Sequence, residues 1–216
     1  MRERYRHERC DLAAAADVDA LLERLVAQGP YDLVVMAAGV SATGRFEAIP
    51  ADAYARLLRV NSEAPLVLAD GLIGAGALGG GATLVLVASL SVDVGYPGAA
   101  SYAASKDALH AYGRSLRLAR KKGGQRARLP RTLVAMPGPL RTEHARRHAP
   151  EGANEAKRMT PEECARRILS AVRSGQNELR PGAAATMAGW FGRLLPGTAT
   201  GLMRRTLFEK LDREVW

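Results

Sequence analysis

The chain alternates short, continuous apolar runs with longer segments in which apolar residues recur at helical spacing. Runs this short and uniformly apolar are typical of parallel strands that are buried on both faces. The apolar runs are Leu33–Ala38, Thr83–Ala88 and Thr132–Met136, and the helical segments are Asp17–Gln28, a segment from Pro50 towards Ala69, and Ser101–Lys121. This order predicts an α/β fold with a mainly parallel sheet and right-handed crossovers. Thr160-Pro-Glu-Glu163 is a capping box that predicts the start of a further helix.

Length and charge narrow the class of protein. A chain of 216 residues favours one domain over 1–216, and 47% hydrophobic residues are enough for a sizeable core. The formal net charge of +9 comes from arginines scattered through the chain rather than from one basic stripe. Nucleic-acid binding needs such a stripe and a reading element, so we expect no nucleic-acid partner. The charge favours anionic substrates, a phosphorylated cofactor or a lipid surface.

Cysteine and histidine usage argues against a disulfide framework and against a metal site. Cys10 and Cys164 are far apart and fit no metal-ligand spacing. His144 and His148 are four residues apart in an Arg-rich segment that offers no convincing third ligand, so we favour a solvated loop near the substrate over a metal site. The charged first residues show no signal peptide, and no run reaches the ~18 apolar residues of a membrane span. We therefore expect a cytoplasmic protein without a metal.

The most specific chemical feature is the string Tyr102-Ala-Ala-Ser-Lys106. Residues four apart share a helix face, so the phenol and the ammonium group can act at one point. A nearby cation favours the phenolate and makes tyrosine usable as a general acid/base. Such a pair alone is more often structural, but Ser89 follows an apolar strand, where open α/β sheets bind ligands. Asn61 is a second unusual residue, because it interrupts an apolar helix.

With these pieces in order, the sequence resembles the short-chain dehydrogenase/reductase family over essentially its whole length. The matching strings are Cys10-Asp11-Leu12, Met36-Ala-Ala-Gly39, Val60-Asn61, Val87-Ala-Ser89, Tyr102-Ala-Ala-Ser-Lys106 and Pro137-Gly-Pro-Leu-Arg-Thr142. The resemblance implies a Rossmann-like three-layer sandwich and an NAD(P)-dependent oxidoreductase that interconverts a carbonyl and an alcohol. It also implies a homo-oligomer in which the helices containing Asn61 and Tyr102 form an interface.

The resemblance also implies a role for each matching residue. Tyr102 would transfer the proton, Ser89 would orient the substrate oxygen, and Lys106 would lower the tyrosine pKa and hold the nicotinamide ribose. Asn61 would support a water path to Lys106. The other cofactor-binding residues would be Asp11 near the adenine, Gly39 near its ribose, and Pro137, Gly138 and Thr142 along the nicotinamide. The cofactor would be NAD or NADP, and the residues that choose between them cannot be recognised.

Three departures from the family pattern stand out. Met36-Ala-Ala-Gly39 replaces the usual Asn-Asn-Ala-Gly, and Met136 replaces the Asn before Pro-Gly. The strand, Gly-rich turn and helix that usually open the family are not recognisable, so the expected fold lacks the first βαβ unit. The one Gly-x-Gly-x-x-Gly match, Gly74–Gly79, follows a helix and precedes a strand, so we interpret it as a turn.

Without the first βαβ unit, Leu33–Ala38 would be an exposed edge of the sheet. The equivalent of the family's third strand, near Arg6–Leu12, would have no neighbouring strand to pair with. Three explanations stay open: a start codon assigned too late, a partner chain that supplies strands, or a rearrangement that pairs Arg6–Leu12 with Leu33–Ala38. The functional alternative is a protein of this fold that has lost dinucleotide binding and acts as a non-redox enzyme or a binding subunit.

The C-terminal residues 185–216 are predicted to form a helical tail that serves as a substrate lid or an interface. An apolar stripe at i, i+3, i+4, i+7 and i+8 comprises Met187, Trp190, Phe191, Leu194 and Leu195. We favour packing over the cleft or in a subunit interface. The alternative is peripheral membrane contact, because aromatic residues beside arginines suit a lipid interface.

Overall fold

The computed structural model describes residues 6–121, 128–149, 154–206, 208–210 and 215–216. The strands of its sheet are β1 (Leu33–Met36), β2 (Thr83–Val87), β3 (Arg131–Ala135) and β4 (Glu178–Leu179). They lie side by side in the order β1-β2-β3-β4, and every neighbouring pair is parallel. Three of these strands coincide with the apolar runs of the sequence, and the predicted α/β class is confirmed.

Helices precede, connect and follow the strands. They are α1 (Ala15–Gln28), α2 (Ala51–Leu58), α3 (Ala64–Gly74), α4 (Ala100–Lys121), α5 (Glu143–Arg147), α6 (Pro161–Arg173), α7 (Ala183–Leu194) and α8 (Pro196–Thr206). A π-helical turn, Arg59–Glu63, joins α2 to α3, and short 3-10 turns lie at Leu90–Asp93, Glu155–Lys157 and Phe208–Lys210. Helix α6 begins where the capping pattern predicts, and the Thr160 hydroxyl accepts a hydrogen bond from the Glu163 amide at 3.2 Å. The Glu163 carboxylate pairs with Arg166 and Arg167, so the N-cap half of the predicted box is the part observed.

The sheet is the middle of three layers because successive residues of a strand point to opposite faces. On one face, Leu84, Leu86 and Val134 pack in the cluster that includes Leu72 of α3 and Leu109 of α4. On the other face, the alternate residues of the same strands pack against α6. That second cluster consists of Val85, Leu133, Ala135, Cys164, Ile168 and Ala171. The three-layer arrangement is therefore confirmed.

The outer edge of β1 is not paired within the described residues. Its other edge pairs with β2, and Val35 is 44% exposed. Residues 6–12 form no strand, so the rearrangement that would pair Arg6–Leu12 with β1 is not observed. The segment is held against helices instead, because Cys10 and Leu12 pack on the cluster around Val18 and Leu68.

The sequence predicts the structure of one loop correctly and that of another only in part. Gly74–Gly79 is a turn between α3 and β2, as expected, with Gly76 at φ +71°. Residues 140–160 have no regular sequence pattern, but they contain α5 and a 3-10 turn, and Leu140 forms an isolated bridge with Met159. Residues 150–153 of this loop lie outside the described ranges.

Candidate active site

The carboxyl ends of β2 and β3 bring two loops together at one edge of the sheet. Ser89 lies two residues after β2, and Pro137 and Gly138 follow β3. The Leu90 amide donates to the Pro137 carbonyl at 3.0 Å, which joins the loops directly. Parallel sheets bind ligands at this edge, so the loops bound a candidate site.

Helix α4 places a phenol and an ammonium group beside Ser89. Tyr102 and Lys106 are one turn apart, and Lys106 Nζ lies 6.0 Å from the centroid of the Tyr102 ring. Nζ also donates to the Val87 carbonyl at 3.0 Å, which ties the lysine to the end of β2. The Ser89 hydroxyl lies close enough to the Tyr102 phenol to act on its pKa. The structure thus brings Ser89, Tyr102 and Lys106 together.

Burial sets the protonation states of Tyr102 and Lys106. Burial raises the pKa of the Tyr102 phenol, and Ser89 acts in the opposite direction, so the lowering by Lys106 that the family resemblance implied is not seen here. Burial also lowers the pKa of Lys106 to about 8. At neutral pH, Tyr102 is therefore protonated and Lys106 is mainly an ammonium ion. A protonated tyrosine beside a serine hydroxyl can donate a proton to a bound oxygen atom.

Asn61 lies in the π-helical turn and braces the loop after β1. Its Oδ1 accepts from the Val40 amide at 2.8 Å, and its Nδ2 donates to the Val40 carbonyl at 2.9 Å. Nδ2 donates also to Ser105 Oγ at 2.9 Å, and Ser105 Oγ donates to the Tyr102 carbonyl at 2.7 Å. Because Asn61 and Ser105 are fully buried, this chain holds the Tyr102 turn of α4 against the loop.

Gly39 keeps the space beside Lys106 open. A Cβ atom at this position would lie 3.0 Å from Lys106 Nζ and 3.3 Å from Asn61 Oδ1. A side chain at Gly39 would therefore crowd both groups. Lys106 has three hydrogen-bond donors and uses one on Val87, so two can reach a ligand.

The remaining predicted cofactor residues fall into two places. Thr142 caps α5 by accepting from the Ala145 amide at 3.1 Å. Helix α5 carries His144, whose pKa is lowered by burial and by the positive charge of Lys106. Asp11 belongs to a separate group. Its carboxylate accepts from the Ala13 amide at 3.0 Å and pairs with Arg56 at 3.6 Å.

Sequence reasoning missed two residues near the site. Ser105 has no role in the sequence interpretation, although it stands inside the Tyr102–Lys106 string that drew attention. His144 was assigned to a solvated loop near the substrate rather than to a metal site, and its proximity to the Lys106 charge depends on where α5 lies. Ser105 could have been noticed because it is a small polar residue directly before Lys106. No local sequence pattern predicts the position of His144.

The fold and the site define a parallel α/β protein with a serine, tyrosine and lysine cluster at the ends of its central strands. The family described as short chain dehydrogenase matches residues 2–152 of the sequence. The chain belongs to this family. No curated protein matches the chain in sequence.

Solved structures show the same fold. A short-chain dehydrogenase from Sphingobium yanoikuyae, in complex with NADPH, superposes with a TM-score of 0.68 at 22% identity, over 90% of this chain and 73% of that one. A short-chain dehydrogenase from Streptomyces avermitilis gives a TM-score of 0.72 at 19% identity, over 96% and 79%. A short-chain dehydrogenase/reductase from Burkholderia phymatum, in complex with NAD, gives 0.69 at 21% identity, over 85% and 73%.

Proposed function

We propose that the chain is an NAD(P)-dependent oxidoreductase that interconverts a carbonyl compound and an alcohol at Tyr102. The observation that carries the proposal is that Ser89, Tyr102 and the buried ammonium group of Lys106 lie together at the end of β2. Family membership supports the oxidoreductase class.

In the reducing direction, the chain's own residues handle the substrate oxygen. The Ser89 hydroxyl donates a hydrogen bond that orients the carbonyl, and Tyr102 passes its proton to the oxygen as negative charge develops. The ammonium group of Lys106 stabilises the phenolate that remains. Asn61 acts as a positioning residue, because both of its amide hydrogens are engaged by Val40 and Ser105.

The residues present fit the nicotinamide end of a dinucleotide. The absence of a side chain at Gly39 leaves space beside the buried Lys106 ammonium group, and Lys106 retains donors for ribose hydroxyls. Gly138 and Thr142 would line the ring with Pro137, and the exposed Asp11 would take the adenine end. When bound, NAD or NADP supplies the hydride for reduction or accepts it for oxidation.

We also expect a homo-oligomer whose interface includes α3 and α4. Exposed apolar side chains on the outer faces of these helices support the expectation, namely Val67 of α3 and Leu118 of α4.

Within the described residues, the structure contains no helix with the length and hydropathy that crossing a bilayer demands.

The proposal is tested by the conversion of a panel of aldehydes and ketones, with the absorbance of reduced nicotinamide as readout for NADH and NADPH. Tyr102→Phe removes the donated proton, so turnover should fall by at least about a hundredfold. Tyr112→Phe is the matched control, because Tyr112 lies on the same helix but its hydroxyl donates to Asp70 at 2.5 Å. Full activity of Tyr102→Phe would refute the assigned role.

A further inference from the structure

Helix α7 presents a continuous apolar stripe to solvent. Met187, Trp190 and Leu194 are 72%, 64% and 70% exposed, and Phe191 is 38% exposed. Their spacing of i, i+3, i+4 and i+7 places them on one face of the helix. We call these four residues the α7 stripe. A contiguous exposed apolar patch that contains aromatic side chains marks an interaction surface.

The opposite face of α7 is fixed to the body of the protein. A Cβ atom at Gly189 would lie 2.7 Å from Arg180 Nε, and one at Gly192 would collide with the Asp93 backbone. Arg193 Nε donates to the Asp93 carboxylate at 2.7 Å. This close approach needs the glycines. Because α7 is held by this face, the stripe points away from the body.

The segment that carries the stripe is positively charged, and the acidic residues Glu209, Asp212 and Glu214 follow it in the sequence. Residues 183–206 contain three arginines and no aspartate or glutamate, in a chain whose net charge is +9. Arg193 is engaged with Asp93, which leaves Arg204 and Arg205 of α8 for an external anion. Arg204 has an exposed contact with Glu209 at 3.4 Å, and such contacts are weak. Leu202, also exposed, adds apolar surface on α8.

We propose that the α7 stripe inserts into the headgroup region of an anionic lipid surface, with Arg204 and Arg205 contacting lipid phosphates. A helix with aromatic and aliphatic residues on one face and flanking cations binds such surfaces reversibly. A second copy of the chain fits less well. A symmetric contact places identical surfaces together, so the arginines of residues 183–206 would face each other, and the Glu209 carboxylate is already engaged with Arg204. The inference rests on the tail alone and is independent of the proposed function.

The test is co-sedimentation of the full chain with vesicles of phosphatidylcholine, with and without phosphatidylglycerol. We expect binding to the anionic vesicles and at least about tenfold weaker binding to the neutral ones, because each arginine near the surface contributes about 1 kcal/mol. The double variant Arg204→Ser with Arg205→Ser should weaken binding to anionic vesicles by a similar factor. In a Trp216→Phe background, the fluorescence of Trp190 should shift to shorter wavelength on binding.

A matched pair of variants isolates the stripe. Trp190→Ser with Leu194→Ser should abolish sedimentation with anionic vesicles, whereas Leu169→Ser, an exposed leucine on α6, should leave it unchanged. Light scattering after size exclusion gives the oligomeric state of each variant. Failure of the wild-type chain to bind anionic vesicles would overturn the proposal. So would a stripe variant that binds normally, or one that falls from dimer to monomer, since a second copy would then cover the stripe.

Discussion

At the scale of single residues, Lys106 is the most strongly perturbed group of the site. Its side chain is almost completely buried, and desolvation lowers its pKa to about 8. The folded protein therefore holds the lysine proton less tightly than the unfolded chain does. Because the unfolded chain binds more protons between pH 8 and the ordinary lysine pKa of 10.5, the lysine destabilises the fold at low pH and does so less as pH rises.

Lys106→Met makes this effect measurable. The difference in unfolding free energy between the wild type and Lys106→Met should move in favour of the wild type by about 2 kcal/mol from about pH 7 to pH 9.5. Urea titrations across that range provide the measurement. Lys121→Met is the control, since Lys121 is exposed at the end of the same helix and should give a much smaller slope. A flat difference for Lys106→Met would show that the ammonium is not desolvated.

Much of the site could be predicted from residue types and spacing. Tyr102 and Lys106 share a face because they are four residues apart, and Ser89 joins them because it follows a buried strand. The protonation states could not be predicted, because the burial of Tyr102 depends on packing between distant segments. The same limit applies to Asn61, whose partner Val40 is 21 residues away in sequence.

At the scale of elements, a buried carboxylate joins the tail to the loop that carries Ser89. Asp93 ends the 3-10 turn that begins just after Ser89, and its side chain is 2% exposed. Arg180 donates to both carboxylate oxygens, at 2.7 and 2.9 Å, and Arg193 of α7 adds a third hydrogen bond. The pair with Arg180 has the bidentate geometry in which such hydrogen bonds are strongest.

Asp93→Asn should be strongly destabilising, because it removes the charge of the bidentate partner of Arg180 and leaves that arginine with the longer contact to Glu178 at 3.5 Å. We expect a loss of about 3 kcal/mol in unfolding free energy from chemical denaturation. Glu163→Gln is the control. Its contacts with Arg166 and Arg167 lie on the surface of α6, so it should cost less than about 1 kcal/mol. Equal effects of the two substitutions would contradict the structural role of Asp93.

Sequence periodicity predicts the long elements and fails at the irregular ones. Helices α1 and α4 begin within two residues of their predicted starts, because their apolar spacing is regular. The π-helical turn Arg59–Glu63 has no sequence signature and was interpreted as ordinary helix. Helix α5 is only five residues long, too short for periodicity to reveal it.

At the scale of the whole molecule, the sheet and its helices carry the site, while the outer edge of β1 stays unpaired among the described residues. The family could be recognised from its motifs because successive motifs follow successive strands, and these strands lie side by side in the same order in the sheet. The placement of residues 6–12 could not be predicted, since it depends on packing against α1 and α3 rather than on a local pattern.

The central claim is that this chain binds a nicotinamide dinucleotide at Lys106, and calorimetric titration of the full chain with NADH and NADPH tests it most directly. We predict micromolar affinity for at least one of the two. Lys106→Met should weaken binding by about tenfold or more, because charge-assisted hydrogen bonds are lost. No binding of either dinucleotide at millimolar concentration would contradict the claim and favour the non-redox alternative. Undiminished affinity in Lys106→Met would contradict the assigned site.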